Sequence, residues 1–139
     1  MNTEIEIYVN IVNFPNYQIS NFGNVKNIKT GRVLKPGRGL NGYLTVVLFN
    51  DGDKSTKTVH KMVASAFLEN PENKRCVDHI NHDKINNHIS NLRYATDAEN
   101  NQNRSIGSNN TSGTTGVCFN KRDKKWRAQI DADGRNIYL

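Results

Sequence analysis

Thr58-Val-His-Lys-Met-Val-Ala-Ser-Ala-Phe67, followed by Arg75-Cys-Val-Asp-His-Ile80 and Leu92-Arg-Tyr-Ala-Thr-Asp-Ala-Glu99, is the part of this 139-residue chain that decides its fold. In the first block Val59, Met62, Val63, Ala66 and Phe67 recur at helical spacing, and Asn70-Pro-Glu-Asn73 stops the helix. The second block reads as a strand. It leads into a polar turn rich in asparagine (Asn81, Asn86, Asn87, Asn91) and then a short strand, Leu92–Ala95. Thr96-x-x-Glu99 is a capping box, so a second helix starts there and runs through Asn103. Two strands and a helix in this order predict an α+β core over residues 51–105.

Upstream, residues 1–50 read as a small β-rich module. Ile5–Val9 alternates, Tyr17–Val25 is interrupted by an Asn-Phe-Gly-Asn turn, Lys35–Gly42 is a loop, and Gly42–Phe49 is a β-rich run ending in Asn50-Asp-Gly-Asp. Downstream, residues 106–113 have the composition of a flexible linker. Residues 114–139 then hold three strand-like runs, Gly116–Asn120, Trp126–Ile130 and Arg135–Leu139, joined by Lys121-Arg-Asp-Lys-Lys125 and Asp133-Gly134. Trp126, Ala128 and Ile130 share one face, Arg127 and Gln129 the other. Three strands with one apolar face need a cover, so this piece reads as a partial three-stranded antiparallel sheet, the truncation or remnant of a longer module.

Composition bounds the function. Hydrophobic residues make up 35% of the chain, below the usual range of about 45–50%, which argues for more than one small core. The apolar run Tyr43–Phe49 is far shorter than the roughly 20 residues of a membrane span, and Met1-Asn-Thr-Glu-Ile-Glu6 does not resemble a signal peptide. A soluble cytoplasmic protein is expected, not a secreted one. Cys76 and Cys118 form neither a disulfide framework nor a Cys-x-x-Cys pair. The net charge of +6 is uneven: residues 1–50 carry five Lys/Arg against two acids, residues 51–103 seven against eight, and residues 104–139 seven against three. Basic flanks are the footprint of a polyanion partner, while the middle keeps its acids for another purpose.

That purpose centres on Asp78 and His79, at the end of a strand, and Asn100, in the first turns of the capped helix. A hairpin presenting Asp and His beside a helix presenting Asn can close an oxygen-rich site suited to magnesium, manganese or calcium, which keep several waters and complete their shell with substrate phosphate. His79, left unliganded, can act as a general base near neutral pH. Phosphodiester hydrolysis needs this pairing of a base for water with positive charge at the phosphoryl and leaving oxygens. A zinc set of Cys76, His79, His82 and Cys118 is not expected, because positions three apart on a strand point to opposite faces. His60 reads as a core or hairpin residue, and Asn86 and Asn87 as turn formers.

Thr58–Phe67, Val77-Asp-His-Ile-Asn81, Asn86-Asn87, Asn91–Thr96 and Glu99-Asn-Asn-Gln-Asn103 resemble the HNH homing endonucleases of phages and mobile introns. Residues 1–50 resemble the nuclease-associated module that precedes this type. Ser112–Phe119 and Lys125–Ile130 resemble the DNA-binding sheet of plant ethylene-response factors. The resemblance implies a ββα-metal (His-Me finger) core in which Asp78 and Asn100 are metal ligands and His79 is the general base. Asn91 would brace the loop carrying His79. It also implies one divalent ion, magnesium with manganese as the substitute, and products with a 5′-phosphate and a 3′-hydroxyl. The partner is then double-stranded DNA, with no membrane and no small-molecule cofactor. The expected phosphate contacts are Lys26, Lys29, Arg32, Lys35, Arg38, Arg93, Lys121, Arg122, Lys125 and Arg127. A monomer would nick one strand and a dimer could cut both. The rival expectation is a DNA-binding regulator or decoy that keeps the scaffold without cleaving.

Overall fold

The computed structural model describes residues 4–132 and 135–138. They form two compact units, Met1–Asn103 and Arg104–Leu139. The first unit is α+β, with small antiparallel sheets around one helix. Strands β1 (Tyr8–Ile11), β2 (Phe14–Ser20) and β3 (Val25–Asn27) form one sheet in that order. Strands β4 (Gly37–Arg38), β5 (Leu44–Asn50) and β6 (Asp53–Thr58) form a second.

The strand expected at Ile5–Val9 begins only at Tyr8. Residues 5–7 bond to Asn21 instead: Ile7 N donates to its Oδ1 (2.7 Å), and its Nδ2 donates to Ile5 O (3.1 Å). Strand β6 has no apolar pattern of its own. It forms because β5 supplies a register, Asn50↔Asp53 through Thr45↔Thr58, across a two-residue turn. Asp51 (φ 51°) and Gly52 (φ 88°) give that turn the two positive φ angles that match strand twist. The boundary drawn at residue 50 therefore falls inside a hairpin.

Helix α1 (Val59–Phe67) follows β6 directly and buries Val59 and Val63 completely. They pack with Phe14, Tyr17, Ile19, Val25, Val46, Leu48 and Leu92. One core thus serves sequence on both sides of residue 50 within the first unit, and the second unit is separate from it. Beyond α1, β7 (Cys76–His79) pairs with β8 (Leu92–Ala95), Asp78 opposite Arg93 and His79 opposite Leu92. Helix α2 (Asp97–Gln102) carries the full capping box: Glu99 N donates to Thr96 Oγ1 (3.2 Å) and Thr96 N to Glu99 Oε2 (2.7 Å).

In the second unit β9 (Val117–Asn120), β10 (Lys125–Ala132) and β11 (Arg135–Tyr138) form an antiparallel sheet with β10 central. Asn110–Gly113, within the expected linker, is a knitted turn in which Asn110 Oδ1 accepts from Ser112 N (2.9 Å) and Gly113 N (2.8 Å). The Asp133-Gly134 turn, Leu139 and the side chain of Ile130 lie outside the described residues. Among the described residues no helix is long and apolar enough to cross a membrane.

Candidate active site

Strand pairing of β7 with β8 sets the site. Alternation sends Asp78 and His79 to opposite faces of the hairpin, yet both are buried, at 8% and 4% exposure, because the chain covers each face differently. On the Asp78 side, Oδ2 accepts three hydrogen bonds: from Arg93 Nε (3.2 Å), Arg93 Nη2 (3.0 Å) and Asn103 Nδ2 (2.7 Å). Asn103 Nδ2 also reaches His79 O at 3.2 Å. Oδ1 takes none of these bonds.

On the other side His79 Nε2 lies 2.9 Å from Asn87 Oδ1. An amide oxygen only accepts, so Nε2 carries the proton and Nδ1 holds the free lone pair. Nδ1 has no hydrogen bond among the described residues. The imidazole stacks on Tyr43 (centroids 5.6 Å, planes 21° apart) and meets His60 at 5.0 Å and 56°. His60 is buried, and desolvation, then the neighbouring His79 and Lys61, pull its pKa down to about 4. It is neutral at physiological pH, and its Nδ1 lacks a partner.

Asn91 holds the turn after His79 closed. Its Oδ1 accepts from Asn81 N (3.0 Å), its Nδ2 donates to Asn86 O (2.9 Å), and its carbonyl accepts from Ile80 N (2.9 Å). Asn100 sits half-buried on α2, one turn before Asn103, so both face the same way at helical spacing. Among the described residues it is Asn103, not Asn100, that hydrogen-bonds to Asp78. Sequence reasoning also missed Asn87, which it took for a turn residue only; its burial at 4% exposure and its bond to His79 set it apart.

One buried carboxylate with a free oxygen, beside amide side chains of α2, is a hard oxygen donor set. Among the described residues no three His, Cys, Asp or Glu side chains gather as a metal cage. Such a set fits a hard divalent cation that keeps most of its waters and that Asp78 could help to hold. Cys76 Sγ instead donates to Asp97 Oδ1 (3.0 Å).

The expected phosphate-contact residues scatter. Lys29, Arg32, Lys35 and Arg38 are exposed, the last tied to Gly42 O by Nε (3.3 Å), while Lys26 is half-buried with its ammonium 3.9 Å over the Tyr8 ring. Arg93 belongs to the Asp78 cluster. In the second unit Lys121, Arg122 and Lys125 are exposed around the β9–β10 turn, and Arg127 pairs with Asp123.

Residues 6–49 match the NUMOD4 motif and residues 59–102 the HNH endonuclease family. The chain is 45% identical over 102 residues to the uncharacterized HNH endonuclease L247 of Acanthamoeba polyphaga mimivirus, covering 70% of this chain and 25% of the relative. It is 38% identical over 109 residues to the DNA endonuclease I-HmuI of Bacillus phage SP01, covering 78% of this chain and 63% of the relative. A solved structure of DNA binding and cleavage by I-HmuI superposes with a TM-score of 0.66 at 38% identity, over 70% of this chain and 56% of that one. The chain thus spans a quarter to under two thirds of these curated relatives. The chain carries, at residues 59–102, an HNH endonuclease segment homologous to that of a phage homing endonuclease, behind a NUMOD4 motif at residues 6–49.

Proposed function

We propose that this chain is a metal-dependent HNH endonuclease that hydrolyses phosphodiester bonds of double-stranded DNA. The observation that carries this reading is the geometry of His79: an imidazole with Nε2 committed to Asn87, Nδ1 without a hydrogen bond among the described residues, and Asp78 adjacent in sequence. His79 Nδ1 takes a proton from water, the resulting hydroxide attacks phosphorus in line, and the 3′ oxygen leaves with the P–O bonding pair and takes a proton from solvent, giving a 5′-phosphate and a 3′-hydroxyl. Asp78, with Asn100 of α2 or Asn103 just after it, would hold a magnesium ion, manganese substituting. Bound there, it supplies positive charge to the scissile phosphate and the leaving oxygen. Asn91 keeps the His79 loop closed.

The exposed Lys29, Arg32, Lys35, Arg38, Lys121, Arg122 and Lys125 supply phosphate contacts that position the duplex without reading its sequence. The matches to HNH endonucleases and to a DNA-cleaving homing enzyme support the reaction class.

The full chain and its His79→Ala variant are incubated with duplex DNA carrying candidate sites, with magnesium and with chelator. Nicked or cut product that disappears with chelator and falls at least about a thousandfold in the variant is expected. No product from wild type, or equal cleavage by His79→Ala, overturns the assignment.

One observation favours a second reading, a DNA binder that does not cleave: Arg93 already sets its own positive charge on Asp78 Oδ2. Such a protein would show salt-sensitive DNA affinity indifferent to chelator, and no product.

A further inference from the structure

Two contacts tie the N-terminal segment to the nuclease side chains. The first is Tyr43, just before β5. Its ring lies nearly parallel to the His79 imidazole and 4.6 Å from that of His60, so His79 is walled by rings on two sides. Lys84, from the turn after β7, closes over this arrangement. Its Nζ donates to Asn41 O (3.0 Å) and stands 4.9 Å over the Tyr43 ring.

The second contact is Gly23. It adopts φ +90°, and a Cβ there would lie 2.8 Å from Asn87 Cβ, closer than real carbon atoms approach. Beside it, Ile89 N donates to Asn21 O (2.9 Å), docking the Asn87 segment against the turn at residues 20–24. Tyr43 fixes the plane of the His79 ring, and Gly23 lets Asn87 sit where it fixes the ring's rotation. Both lie within residues 6–49, matched to a motif separate from the nuclease segment.

We infer that the N-terminal segment is part of the catalytic apparatus, with Tyr43 as a positioning residue for His79 and Gly23 as the seat of Asn87. The inference rests on His79 being the general base, and it adds that a bare HNH segment lacks two of the supports that orient this base. A ring wall acts on orientation, so its loss lowers turnover and leaves DNA affinity alone.

The test uses the full chain and two readouts. Long-range proton–nitrogen NMR at pH 8 reports the tautomer of His79, one of only four histidines. Cleavage kinetics report kcat and KM for duplex DNA. Wild type is expected in the Nε2–H tautomer. Tyr43→Leu, which keeps bulk without a ring face, should mix the tautomers and lower kcat about 10–100-fold, with KM within about threefold. Tyr43→Phe should recover both. Gly23→Ala, by displacing Asn87, should repeat the Tyr43→Leu result from an independent position and serves where that variant does not fold.

An unmixed tautomer together with unchanged kcat in Tyr43→Leu or Gly23→Ala overturns the inference, even if cleavage depends on His79. Mixed tautomers in a chain that cleaves nothing uphold the positioning contacts and sink the endonuclease reading instead.

Discussion

Asn87 Oδ1 lies 2.9 Å from His79 Nε2, with both side chains almost fully buried. A buried acceptor in this position decides which nitrogen of the imidazole can receive a proton. Asn87→Ala should therefore lower single-turnover cleavage about 10–100-fold while leaving DNA affinity within a few-fold, since the base is present but free to rotate. Asn87→Asp keeps the acceptor and adds a negative charge that favours the imidazolium. In that variant the acidic limb of the pH–rate profile should move up by about one unit or more. A profile unchanged in Asn87→Asp would mean that this contact does not govern the base.

Arg93 and Asn103 share Asp78 Oδ2, so the carboxylate meets a fixed positive charge before any cation arrives. Removing that charge should favour a divalent ion. Manganese binding to the full chain, followed by calorimetry, should tighten about 3–10-fold in Arg93→Gln and disappear in Asp78→Asn. Unchanged affinity in Asp78→Asn would remove Asp78 from the ligand set.

The two side chains with proposed chemistry were legible because they are adjacent: Asp78-His79 on a strand before a turn needs no tertiary knowledge. The α2 cap was legible for the same reason, since Thr96 and Glu99 act within one helical turn. Asn100 and Asn103 could not be told apart by pattern, because a period of 3.6 residues puts both on one face. Asn87 was hidden by its own residue type. In a run of asparagines each reads as a turn former, and only the return of β8 alongside β7 brings this one to His79 eight positions earlier. Tyr43 reaches His79 across 36 positions of chain, from the residue before β5, the strand that pairs with β6. That strand, Asp-Lys-Ser-Thr-Lys-Thr, is defined by its partner and not by any apolar alternation.

Protonating His60 should destabilise the first unit. Its folded pKa of about 4 lies below the ordinary histidine value of 6.5, so the unfolded chain binds the extra proton between those limits. Stability contributed by the neutral ring is complete above pH 6.5 and falls as the pH drops toward 4. Glu6 and Glu99 have pKa values lowered by hydrogen bonds from Ser20 and Asn24 and from Thr96 and Lys74, respectively, so the stability they contribute is lost from the ordinary carboxylate value of 4.5 downward. Urea unfolding of the full chain should lose about 2 kcal/mol between pH 6.5 and 5, and His60→Phe should flatten that slope. A slope equal in the two proteins would show that the ring accepts a proton without cost.

Leu48, fully buried on β5, packs into the same core as Val59 and Val63 of α1 and Leu92 of β8. It belongs to the segment before residue 50, yet it supports the hairpin that carries Asp78 and His79. Leu48→Ala removes three heavy side-chain atoms from a site closed on all sides and should cost about 2–5 kcal/mol. Because the core is continuous, that loss cannot stay in the N-terminal strands. Urea midpoints followed at Ile19 on β2 and at His79 on β7 should fall together, with an unchanged dependence on denaturant. If the midpoint at Ile19 dropped while that at His79 held, the NUMOD4 and HNH segments would be separately folding pieces, and the support that Tyr43 and Gly23 give to His79 would have no common frame to act through.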